Sequence, residues 1–127
     1  MAYDAARGQV VLYGGFDDVN FFNLGDTWVW DGSTWTQKFP HDNPGNRYGA
    51  SMVYDAAHSQ IVLFGGSILY PDGSFFDLND TWVWDGNNWT RKTPQTSPAP
   101  REVPSMAYDR LRARPPGPIG IIAAHRQ

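Results

Sequence analysis

The chain has no cysteine, so disulfides and thiolate metal sites are excluded, and the redox compartment is left undetermined. No segment approaches the ~18 apolar residues of a membrane span. No signal-peptide pattern is seen, because Met1 opens directly into strand-like sequence. Basic charge is scarce in the body of the chain. Residues 1–109 hold all thirteen acidic residues against six basic ones, for a net −7. That balance argues against nucleic acid, whose binding relies on Lys and Arg to neutralise phosphates. Helical periodicity is missing too: no apolar pattern at a period of 3.6 is sustained for ten residues. The last eighteen residues differ in kind, with Arg110, Arg112, Arg114 and Arg126, no acid and no aromatic.

What the 127-residue sequence does have is internal duplication. Phe21–Thr36 reads FFNLGDTWVWDGSTWT and Phe75–Thr90 reads FFDLNDTWVWDGNNWT, identical at twelve of sixteen positions and offset by 54 residues. A period near 50 marks a repeat architecture. Each copy resolves into four strand-like runs. In the second these are Ala50–Tyr54, Gln60–Phe64, Thr81–Trp84 and Asn88–Lys92; in the first, Met1–Tyr3, Gln9–Tyr13, Thr27–Trp30 and Thr34–Lys38. Turn chemistry divides them: Asp55-Ala-Ala-His-Ser, the doublet Gly65-Gly66, and Asp85-Gly86. The expectation is an all-β chain of two four-stranded antiparallel meanders plus one extra strand, not closed.

The runs end in Gly14-Gly15 and Gly65-Gly66, followed by the spaced pairs Trp28/Trp35 and Trp82/Trp89. With two copies at matching spacing, residues 1–109 resemble the Kelch repeat family, whose four-stranded blades build β-propellers. The resemblance implies that Arg47 and Arg101, just before the next blade's first strand, are structural repeat residues, together with the glycines and tryptophans named. Trp28 and Trp82 depart from the pattern, standing where the family usually has Tyr. The implied organisation is a first blade at 1–48, a second at 49–103, the first strand of a third at 104–109, and an irregular basic tail at 110–127. Met106-Ala-Tyr-Asp109 repeats Met1-Ala-Tyr-Asp4, but the next strand's register falls on Pro115-Pro116-Gly117-Pro118, which cannot join a sheet interior. The chain is therefore expected to be a truncated piece of a longer Kelch protein. A rival expectation is head-to-tail self-association through exposed blade faces, the spare strand Ser105–Asp109 completing another copy's first blade.

Chemistry has little visible machinery. The tryptophans invite a sugar-stacking reading, but their recurrence within strands points to a core between blades. The Gly-Gly doublets lack the Gly-Lys-Ser/Thr of a phosphate loop and are read as sites of positive φ or close backbone approach. No stretch has the ligand order of a calcium loop. Asp26/Asp80 and Asp31/Asp85 recur in turns, where Asx hydrogen bonds account for them. His41, His58 and His125 have no ligand spacing, and no Gly-x-Ser-x-Gly surrounds any serine. Galactose oxidase shares the Kelch fold, yet its copper-radical centre needs a Tyr crosslinked to Cys. No catalytic residue, metal or cofactor is expected.

Binding is expected on the edge carrying the second-to-third-strand loops and the links between blades. Phe21-Phe22 and Phe75-Phe76 are duplicated there and read as loop anchors. The loops differ at Asp17-Asp18-Val19-Asn20 against Ile68-Leu69-Tyr70-Pro71-Asp72-Gly73. Differences between copies are where specificity can reside, which singles out Asp17, Asp18, Tyr70 and Asp72. The functional expectation is a non-enzymatic module binding a protein or small ligand, with no nucleic-acid or membrane partner. The alternatives are a structural or substrate-positioning segment of a larger secreted carbohydrate-active enzyme, and a gene remnant without function of its own.

Overall fold

The β-branched and aromatic runs become strands, most with boundaries within one residue of those expected. The computed structural model describes residues 1–108 and 121–124, and all regular structure there is β. The first sheet orders β1 (Ala2–Asp4), β2 (Gln9–Asp17), β3 (Phe22–Trp30) and β4 (Trp35–Lys38) in sequence. The second orders β5 (Ser51–Asp55), β6 (Gln60–Phe64), β9 (Thr81–Trp84) and β10 (Trp89–Lys92). Both are antiparallel meanders, and neither closes into a barrel. The register is the same in each: Leu12 pairs with Trp28 as Leu63 pairs with Trp82.

Two features depart from expectation. The segment after the Gly14-Gly15 doublet, expected as the loop between the second and third strands, is largely strand, because β2 and β3 continue past the irregularity there to pair Asp17 with Phe22. In the second copy the corresponding segment is a separate hairpin of β7 (Ser67–Leu69) and β8 (Phe75–Asp77). Its turn is Tyr70-Pro71-Asp72-Gly73-Ser74, with Gly73 at φ 87 and the Ser74 N–H bonded to Asp72 Oδ1 at 2.9 Å. The C-terminal part also differs from an irregular tail. β11 (Ser105–Tyr108) pairs antiparallel with β12 (Ile121–Ala124). β12 thereby supplies a backbone partner for an edge of β11. Positions 115–118, where the prolines stand, lie outside the described residues.

The core lies between the two sheets. Val11, Tyr13 and Val29 from the first meet Ile61, Leu63, Trp84 and Trp89 from the second. Alternation along the strands puts these residues on facing sides. Tyr13 and Trp89 pack edge to face with centroids 5.3 Å apart, and Trp89 Nε1–H donates to Thr27 Oγ1 at 3.1 Å. The repeat-equivalent Trp35 lies on the opposite side of the first sheet, where no described element covers it. It is 41% exposed, against 0% for Trp89.

The doublets hold the link between the sheets. Gly14 and Gly65 take φ of 67 and 70. A Cβ on Gly14 would stand 2.5 Å from the Arg47 carbonyl oxygen, and one on Gly65 2.7 Å from that of Arg101. The next glycine in each pair donates its N–H to the same carbonyl: Gly15 to Arg47 at 2.9 Å, Gly66 to Arg101 at 3.0 Å. Positive φ and close approach are therefore both required here.

Candidate functional site

The expected loop residues share one edge of the molecule. Asp17 and Asp18 stand at the tip of the β2–β3 hairpin, and Tyr70 and Asp72 at the tip of the β7–β8 hairpin. The two hairpins are stitched together by Asn23, whose Nδ2 donates to the Leu69 carbonyl at 2.9 Å while its Oδ1 accepts from the Leu69 N–H at 3.1 Å. An amide side chain thus replaces a strand neighbour. Below it, the Tyr48–Ser67 bridge ties the inter-sheet link to the second hairpin. The Phe16 ring packs edge-on against both Phe21 and Tyr48.

Two of the four expected residues spend their carboxylates on their own loops. Asp17 accepts from the Val19 and Asn20 backbone N–H groups and the Asn20 amide, and these bonds, chiefly those of Asn20, hold its carboxyl below the ordinary range. Asp72 accepts from the Ser74 hydroxyl at 2.5 Å and the Ser74 N–H, with the same consequence. Tyr70 and Asp18 are exposed. Asp17 and Asp72 therefore shape the tips, while Tyr70 and Asp18 face solvent.

The phenylalanines read as anchors behave otherwise. Phe75 and Phe76 are 60% and 59% exposed, and Phe21, Phe22 and Val19 are exposed on the neighbouring tip. With Tyr70 they line the edge with aromatic and apolar surface. Duplication hid this in the sequence, because repeated residues look like scaffold. Asn23 was missed as well, although Asp77 at the equivalent place in the second copy marks a difference.

The aspartates recurring between the strands divide into two kinds. Asp31 and Asp85 form the expected Asx turns, with Ser33, Thr34, Asn87 and Asn88 N–H groups donating to them. Asp26 and Asp80 do something else. Each accepts the indole N–H of the Trp two residues on, Trp28 at 2.6 Å and Trp82 at 2.8 Å. Asp80 also receives both guanidinium nitrogens of Arg47, at 2.6 and 2.8 Å. Arg47 is buried, and it donates further to the carbonyls of Gly65 and Pro44. It is a clamp between the sheets, made from the link. Burial alone would raise the Asp80 carboxyl; the Arg47 guanidinium and Trp82 indole outweigh it and hold that carboxyl below the ordinary range.

Two clefts of about 270 and 250 Å³ occupy the same place in each copy, one beside Asp26, Thr27 and Lys38 and the other beside Asp80, Thr81 and Lys92. Their recurrence marks them as products of the repeat. Among the described residues no group of three His, Asp or Glu is gathered where it would hold a metal ion. No protein-family model matches the chain, and no curated protein matches it.

Proposed function

We propose that the chain is a Kelch-type propeller module that binds a protein or ligand, without catalysis, along the edge formed by its β2–β3 and β7–β8 hairpins. The observation that carries this reading is the Asn23–Leu69 pairing, which joins two hairpins of unlike sequence into one continuous edge. That edge presents Phe22, Tyr70, Phe75 and Phe76 to solvent beside the Asp18 carboxylate. Exposed apolar surface of this kind, rimmed by polar groups, is typical of interaction sites. Aromatic residues, Phe and Tyr among them, are enriched in the cores of protein interfaces. An extended, apolar peptide segment carrying a basic group matches its chemistry.

A displayed peptide library selected on the immobilised chain tests the reading. Peptides so selected lose affinity at least about tenfold when Tyr70→Ala or Phe75→Ser is introduced, a loss in the range of a single interface anchor. The circular dichroism spectrum stays unchanged. Selected peptides that bind both variants as they bind the parent would remove the edge as the site.

A further inference from the structure

The Arg47–Asp80 clamp has two unfilled halves elsewhere in the chain. Asp26 is the repeat equivalent of Asp80 and likewise holds its neighbouring indole, but among the described residues no guanidinium reaches it. Arg101 is the equivalent of Arg47. Its backbone repeats the same bonds, N–H to Leu78 and carbonyl from Gly66, as Arg47 makes with Leu24 and Gly15. Among the described residues its guanidinium bonds only to the Ala99 carbonyl, at 3.0 Å, and to no carboxylate.

The faces around these halves are related in the same way. Val10, Leu12, Trp30 and Trp35 correspond to Ile61, Leu63, Trp84 and Trp89 by register. The second set is fully buried against the first sheet, whereas every member of the first set keeps solvent exposure, Trp35 most. The first sheet thus carries, uncovered, the surface that the second sheet uses to bind its neighbour.

We infer that this face takes up a second copy of the chain, head to tail, with Arg101 of one copy closing on Asp26 of the other. The geometry to be reproduced is already present between Arg47 and Asp80, and the charges are complementary. Trp35 is then covered as Trp89 is. On the donating copy Val62, Phe64 and Val83 are already buried within the single chain and β11 runs beside β5, so the arriving sheet takes this place only in exchange for the segment that covers it, with β11 at its inner edge. Its Met106-Ala107-Tyr108 has the sequence of Met1-Ala2-Tyr3, which leads into β1. It can therefore pair with β2 of the arriving copy in the Ala2-to-Val11 register of β1, with β12 of the donating copy and β1 of the arriving copy both giving way. Such a contact is heterologous. It uses none of the hairpin tips, so its failure leaves the binding edge untouched.

Sedimentation velocity on the intact chain over a range of concentrations tests it. The parent chain associates reversibly. Asp26→Arg and Arg101→Asp each weaken association at least about tenfold, as like charges face each other. The double variant restores association, and so does an equal mixture of the two single variants, since each then offers the charge the other lacks. Trp35→Glu, at an exposed position, abolishes association while circular dichroism stays unchanged, a readout that stands if a charge reversal fails to fold. A parent chain monomeric at every concentration would overturn the inference. So would association indifferent to Asp26→Arg, or folded single variants whose mixture stays apart.

Discussion

Arg47 and Asp80, thirty-three residues apart, meet as a two-pronged ion pair at 2.6 and 2.8 Å between the two sheets. The arginine side chain is 4% exposed and the aspartate 11%. Removing one partner of a buried pair leaves an uncompensated charge, which typically costs about 3–5 kcal/mol. Arg47→Met is expected to lower stability in urea by about that amount. Asp26→Asn touches only the Trp28 hydrogen bond and is expected to cost about 1 kcal/mol. Equal losses for the two would show that the clamp does not join the sheets.

The same pair sets the acid limb of stability. The Asp80 carboxyl lies below its ordinary value of 3.8 when folded. The stability it contributes is thus present above the unfolded value and is lost as pH falls through the folded one. Urea midpoints should decline as pH drops below about 4. Arg47→Met removes part of that decline. An acid limb of the same steepness in the variant would contradict the assignment.

Burial acts in the other direction on Tyr13. Enclosure of the ring pushes its phenol up to about 12, against the opposing pull of the Arg47 charge. A raised acid contributes stability that is present below its unfolded value of 10.0 and is lost as pH rises from there toward the folded one. Tyr13→Phe is accommodated, since Phe64 holds the equivalent place in the second copy. It loses the 2.8 Å hydrogen bond to the Gly45 carbonyl, at about 1 kcal/mol near neutrality. In exchange it flattens the alkaline limb. A stability profile unchanged above pH 10 would refute the assignment.

Trp35 and Trp89 offer a comparison of one residue in two settings. Trp89 is enclosed between the sheets and Trp35 is 41% exposed. Truncating a buried Trp to Ala costs about 3–5 kcal/mol. Trp89→Ala is expected to fall in that range, with Trp35→Ala at about a third of it or less, measured on dilute chain. The reverse order would place the interface on the wrong side of the first sheet.

Much of the fold was legible because the chain states it twice. Two copies of Thr-Trp-Val-Trp-Asp-Gly, each preceded by an apolar run and a glycine doublet, fix strand, turn and register together. Asp31 and Asp85 could be read as turn residues because an Asx turn is a local bond. Asp26 and Asp80 could not, because their partners are an indole two residues on and, for Asp80, an arginine far away in the sequence. The exposure of Phe75 and Phe76 was hidden for a related reason. Duplication reports that a residue suits its strand and is silent on whether another element covers it. The pairing of β11 with β12 joins segments separated by a proline-rich stretch, where no local pattern sets a register.

The two sheets face each other across Trp89, and nuclear Overhauser spectroscopy reaches that contact directly. The Trp89 indole proton is predicted to show strong cross-peaks to the Thr27 side chain, its hydrogen-bond partner at 3.1 Å. The Trp35 indole proton should show none to the second sheet in dilute chain. A Trp89 indole without contact to Thr27, exchanging with water as freely as that of Trp35, would contradict the packing on which everything else depends.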